Sequence, residues 1–146
     1  MAKSYYSTVF DAPADKVWAA ARDFNGLATW FPSAIGRSEI EGGKSGEAVG
    51  GIRNFMFGDT NVRERLLAMS DVDRSYTYCF EEPVPFPVRN YESTIRVTPV
   101  TDGGKAFVEW WTTFDCAADE YDQWTAFFAA EVFEPALESL RQHLGA

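Results

Sequence analysis

The stretch VEWWTTFD, Val108 to Asp115, decides how the chain is read. Neighbouring side chains of a β-strand point to opposite faces. Val108, Trp110, Thr112 and Phe114 therefore share one face, and Glu109, Trp111, Thr113 and Asp115 share the other. A half-buried strand has one apolar and one wet face. Two adjacent tryptophans break that rule, because only one of them belongs inside.

Working outward, KAFVEWWTTFD follows the turn TDGG, which follows the alternating stretch NYESTIRVTPV. Further upstream, SYTYCFEE ends at the proline-rich PVPFPV, where one X-Pro bond is a candidate for the cis form. VRERLLAM ends at SDVDR, GGIRNFMF leads into GDTN, and AIGRSEIE ends at Gly42-Gly43. These alternating runs and turn signals predict about six antiparallel strands. Before them lie a strand, SYYSTVF, and a helix, APADKVWAAARDF, with Pro13 near its first turn. NGLATWFP reads as a second short helix closed by Pro32. Asp119 to Leu144 reads as one long helix, with Asp119 as its cap, acids in its first turn and Gly145 after its end. Pro135 should kink or break it. The expected fold is α+β: about seven antiparallel strands wrapped around a long C-terminal helix, with two short helices after the first strand.

The chain has 146 residues, enough for one domain (1–146) with a substantial core. Aromatic content is 16%, which suits a thick core or a lined cavity. Net charge is −9, which opposes phosphate backbones and anionic membranes and argues against nucleic-acid binding. No apolar run approaches the length of a membrane span. Strand-like residues begin by Ser4, so no leader is expected and the predicted location is cytoplasmic. Cys79 and Cys116 lack metal or redox spacing and read as buried thiols. The single histidine, His143, reads as a surface residue near a helix C-terminus. No metal site and no cofactor are expected.

The pieces VWAAARDFNGLATWFP, VRERLL, SYTY, PFPVRNYESTI and VEW occur in an order that resembles the START-like, Bet v 1-like (SRPBCC) superfamily with its helix-grip fold. The resemblance covers essentially the whole chain and is closest to small bacterial proteins of the polyketide cyclase/dehydrase type. It implies a cavity between sheet and helix. Glu64-Arg65-Leu66 and Asn90-Tyr91-Glu92-Ser93 are also similar to strands of the plant abscisic-acid receptors. In those receptors the Glu, Tyr and Ser face the ligand, which implies the same for Glu64, Tyr91 and Ser93. Phe31 stands where the receptors carry a ligand-holding lysine, and their two mouth-loop motifs are replaced by FGDTN and FPV. These departures argue against abscisic acid as the ligand.

With Glu64 inward, alternation places Val62, Leu66 and Ala68 inside and sends Arg63 and Arg65 to solvent. If Phe55 and Phe57 face inward, Arg53 does too, and it meets Glu64 from the neighbouring strand. That pair is a polar anchor for a ligand or an ion pair that fixes strand pairing; a buried charge needs a partner in either case. The apolar count turns Tyr76, Tyr78 and Phe80 inward, whereas a gap-free comparison with the plant receptors turns Thr77 and Cys79 inward. Phe128, Val132 and Ala136 form a stripe on the last helix that faces the cavity or seals the core. Phe24, Trp30, Phe31 and Phe86 are expected at the cavity rim.

Trp110 and Phe114 belong to the same face as Tyr91, Ser93 and Ile95, so Trp110 is expected inside. The bacterial relatives often carry a small residue where Trp111 stands, which fits an outward position. There it is covered by outer-face stems such as Arg96 or contacts a second subunit in a homodimer.

The leading functional expectation is a binding protein for a small, mostly apolar ligand such as a lipid or polyketide. The rival is a polyketide cyclase/dehydrase-type enzyme, with Glu64 as acid/base and Arg53 stabilising an enolate. A carboxylate beside arginine is expected to have a lowered pKa, which weakens it as a base. A third possibility is a structural or interaction protein whose interior is filled by its own aromatics.

Overall fold

In the computed structural model, which describes residues 1–146, the two tryptophans separate as the alternation requires. Trp110 is 2% exposed, while Trp111 is half-buried on the outer face. Their strand, β7 (Lys105–Asp115), pairs with β1 (Ala2–Phe10) on one side and β6 (Arg89–Val100) on the other. β5 (Ser75–Phe80), β4 (Thr60–Ser70), β3 (Ile52–Phe57) and β2 (Ile35–Ile40) complete a seven-stranded antiparallel sheet in the order β1-β7-β6-β5-β4-β3-β2. Two short helices, α1 (Ala14–Ala21) and α2 (Leu27–Trp30), connect β1 to β2. This is the expected helix-grip fold.

Trp110 stacks on Phe133 of the C-terminal helix, with ring centroids 5.0 Å apart and planes at 14°. Its Nε1 donates to Tyr78 Oη and Ser93 Oγ, both at 3.2 Å, so the buried indole N–H is satisfied. Outside, Trp111 stacks on Tyr5, its partner across β1, with centroids 6.5 Å apart. The Lys3 ammonium lies 5.7 Å from the Trp111 ring. Arg96 is not the cover that the sequence suggested: it stands opposite Glu109, and the covering groups come from β1 instead.

The C-terminal helical segment comprises a 3₁₀ turn (Ala118–Glu120), α3 (Tyr121–Phe127), a π-turn (Phe128–Phe133) and α4 (Glu134–Leu144). Asp119 does not cap it; no side chain does at this end. Pro135 marks an interruption of the regular helix: the π-turn ends at Phe133 and α4 begins at Glu134, with Pro135 in its first turn. The wide π-turn precedes it, and the Glu134 N–H bonds back five residues to Ala129. Wider hydrogen bonding relaxes the contact between a proline ring and the carbonyl four residues earlier. It also rotates Phe133 into the core, where it is fully buried and shares the inner face with Phe128 and Ala136. Gly145, at φ 66°, ends the helix in the left-handed conformation that glycine adopts freely.

Ala68 is exposed rather than inside. A β-bulge between Leu66 and Ala68 adds one residue to β4, so Met69 takes the place opposite Tyr76. Cys79 and Cys116 are half-buried free thiols rather than fully buried ones. The Glu82–Pro83 bond is cis. No helix is long and apolar enough to cross a membrane.

On the outer face of β3 and β4, Arg63 grips Glu41 in a bidentate pair, Nε–Oε2 2.7 Å and Nη2–Oε1 2.8 Å. Asn54 donates to the same carboxylate at 2.9 Å. The Arg63 and Asn54 hydrogen bonds hold Glu41 at a pKa of about 2. A lowered carboxyl pKa contributes stability that is present above the ordinary carboxyl range, near 4.3, and is lost as pH falls toward 2.

Two predictions follow from this packing. Trp110→Ala should cost about 3–5 kcal/mol in urea unfolding and Trp111→Ala about 1 kcal/mol, because only the first empties the core; equal losses would contradict the register. In carboxyl-carbon NMR, Glu41 should titrate near 2 and return to the ordinary range in Arg63→Ala. An ordinary midpoint in the unsubstituted protein would mean that the bidentate pair does not hold in solution.

Candidate functional site

Arg53 and Glu64 stand directly opposite each other on β3 and β4, both pointing between the sheet and the C-terminal helix. Arg53 Nε and Nη2 both approach Glu64 Oε1, each at 2.8 Å. Nη1 donates to the Phe24 carbonyl at 3.1 Å and to Tyr76 Oη at 3.4 Å. The guanidinium carbon lies 4.1 Å from the Phe24 ring centroid and 4.7 Å from that of Tyr78. With side chains 1% and 6% exposed, the pair is removed from bulk water. Glu64 Oε2 makes no hydrogen bond with the protein, whereas Oε1 receives both arginine contacts.

Burial raises the Glu64 pKa, and Arg53 reverses that only in part. The lowering expected from the sequence is thereby corrected: desolvation outweighs the neighbouring charge. Burial opposes the Arg53 charge as well, but the Glu64 carboxylate offsets it and Arg53 remains cationic. Burial also pushes the phenols of Tyr76, Tyr78 and Tyr91 upward, leaving them neutral at physiological pH.

Two cavities of about 40 Å³ each adjoin the pair. Phe55, Phe57, Glu64, Tyr78 and Val132 line both. The first extends to Val62, Phe80, Phe86, Tyr91 and Phe128. The second reaches Arg53 and continues past Phe31 and Trp110 to Ala136, and it also touches Leu27 and Ile35. A water needs about 10–15 Å³ of such space, so each cavity holds a few waters at most. The walls of both are almost wholly apolar.

Other sequence-selected residues lie behind this surface. Tyr76 and Phe24 surround the guanidinium, with their rings edge-to-face at 5.6 Å. Ser93 accepts from Trp110 and donates to the Trp111 carbonyl. Leu66, Ile95 and Phe114 are fully buried in the core, with Phe114 packed on Phe128. Trp30 packs on Trp110, and its Nε1 is a buried donor without a partner.

Phe24, Trp30 and Phe31 do not form a rim. All three are buried, because α2 and the segment before it fold over the sheet. Phe86 is half-buried and packs among Phe80, Phe127 and Phe128. Tyr76 and Tyr78 are buried, as the apolar count required, so the gap-free receptor comparison is wrong for β5. Leu27 and Ile35 were missed as lining residues. α2 is too short to show a period, and a bulge between Ile35 and Ser38 disrupts the β2 alternation.

The whole-chain comparisons agree with the fold. A protein from Thermobifida fusca superposes with a TM-score of 0.87 at 28% identity, covering 99% of this chain and 94% of that one. XoxI from Bacillus cereus gives a TM-score of 0.83 at 31% identity, covering 99% and 96%. Norcoclaurine synthase from Thalictrum flavum, solved with dopamine and hydroxybenzaldehyde, shares the fold with a TM-score of 0.78 at 17% identity, covering 96% and 84%. No curated protein matches the chain. The family model for polyketide cyclase/dehydrase and lipid transport matches residues 1–145, and the chain belongs to that family.

Proposed function

We propose that the protein binds a small, mostly apolar molecule between its sheet and C-terminal helix, with the Arg53–Glu64 pair as the polar anchor. The observation that carries this reading is the open Glu64 oxygen beside apolar cavities. Replacing a buried ion pair by well-packed apolar residues is often neutral or stabilising, so stability alone gives weak reason to keep one. A site that orients a ligand gives a better reason. Norcoclaurine synthase, solved with dopamine and hydroxybenzaldehyde, illustrates small aromatic compounds carried by the same fold.

One observation favours the enzymatic alternative. Burial raises the Glu64 pKa, the direction that makes a carboxyl a better proton carrier. Against it, Arg53 Nε and Nη1 already donate to protein acceptors, which weakens it as an enolate stabiliser. Binding is therefore the preferred reading. The small resting cavities require the aromatic wall to move when a ligand is admitted.

Native mass spectrometry of purified protein, followed by thermal-shift screening against lipids and aromatic metabolites, tests the reading. A bound small molecule or a saturable shift is expected; no bound species and no shift would favour an interior that serves packing only. Glu64→Gln should lose about 3–5 kcal/mol by leaving Arg53 unpaired, whereas Arg53→Met with Glu64→Leu should stay close to the unsubstituted stability. Loss of ligand in the stable double variant would separate binding from folding. If the double variant retained ligand undiminished, the pair would not be its anchor.

A further inference from the structure

Resting on the binding function proposed above, the free valence of the buried pair narrows the ligand class. Arg53 Nε donates to Glu64 and Nη1 to the Phe24 carbonyl and Tyr76, while Nη2 lies 2.8 Å from the same Glu64 oxygen. Its ring-faced position over Phe24 and Tyr78 leaves the guanidinium 1% exposed. Most of the Arg53 donors are thus engaged within the protein. Glu64 is committed on one side only: Oε1 takes both arginine contacts and Oε2 takes none. The Glu64 side chain lines both cavities and is 6% exposed. That carboxylate oxygen has no donor from the protein and remains accessible to one carried by a ligand.

We infer that Glu64 Oε2 receives the hydroxyl of a neutral, largely aromatic or aliphatic alcohol or phenol, and that the cavity rejects carboxylate ligands such as fatty acids. Charge separates the ligand classes. Arg53 and Glu64 together are neutral, so an anionic ligand would bring an uncompensated charge into an apolar space and face the carboxylate. An ammonium would satisfy Oε2 but leave a net positive charge inside. A neutral hydroxyl supplies the missing donor and adds no charge. The ring faces of Phe55, Phe57, Tyr78 and Phe80 supply the apolar contacts for the rest of the molecule.

Isothermal titration with 4-propylphenol, 4-propylanisole and 4-propylbenzoate tests the inference, because the three share one apolar body. The phenol should bind about tenfold or more tightly than the ether, as expected for a hydrogen bond to a charged acceptor, and the benzoate should not bind detectably. Equal affinity of phenol and ether, or tightest binding by the benzoate, would overturn the inference while leaving the cavity in place as a binding site. Failure of all three, the donor-free ether included, would overturn the binding function and this inference with it. The variant carrying Arg53→Met and Glu64→Leu, checked for folding by circular dichroism, should keep ether binding and lose the preference for phenol. A preference that persisted in that variant would show that Glu64 is not the acceptor.

Discussion

A guanidinium and a carboxylate held out of water between β3 and β4 constrain everything around them. Their charges need partners, and each partner fixes another part of the chain. The Phe24 carbonyl must approach Arg53, so the segment between α1 and α2 lies over the sheet. Tyr76 and Tyr78 must turn inward to present a hydroxyl and a ring face, which sets the side-chain parity of β5. That parity in turn places Tyr78 Oη within reach of the Trp110 indole. Trp110 is then both the apolar anchor for Phe133 on the C-terminal helix and a donor to Tyr78, whose ring faces Arg53.

Irregularities in the backbone make room for this interior. Bulges interrupt the pairing of β2 with β3, β4 with β5, and β6 with β7. Each adds local twist and helps a single sheet curl around a helix. In β6 the irregularity falls between Arg89 and Glu92, and Asn90 adopts φ 53°, a conformation that Asn tolerates better than most residues. Tyr91 emerges from it facing inward. The π-turn does the corresponding work on the helix, bringing Phe133 onto a face that regular spacing would have given to other residues.

Much of this was legible in the sequence where the period was regular. VEWWTTFD predicted which tryptophan was inside, and alternation in VRERLL sent Arg63 and Arg65 outward toward Glu41 and Glu81. The pairing of Arg53 with Glu64 followed from the same rule applied to adjoining strands. Inserted residues defeated it. One extra residue in β4 reversed Ala68, and the wide helical turn concealed Phe133. The deep burial of Phe24, Trp30 and Phe31 depends on how two short helices fold back, a tertiary fact with no periodic signature. The Glu64 pKa failed for another reason. Spacing revealed the neighbouring charge but not the depth of burial, and burial is the stronger influence.

The interior is packed asymmetrically, and that asymmetry bears on how so small a resting space relates to a site. On the Arg53 side, Phe24, Tyr76 and Trp110 are all buried and tied by ring contacts or hydrogen bonds. On the other side, Phe57, Phe80, Phe86 and Val132 are only half-buried. Phe80 stacks on Tyr91 with centroids 3.9 Å apart, and Phe86 rests on neighbouring rings without any polar tether. Displacing a half-buried ring exposes less new apolar surface than displacing a buried one, so expansion costs least on this side. Glu64 lines the cavities on both sides, and only its Oε1 is bonded to Arg53. Rigidity around the charges with looseness around the apolar space is what the proposed binding function would require, because an anchor must be positioned before a ligand arrives.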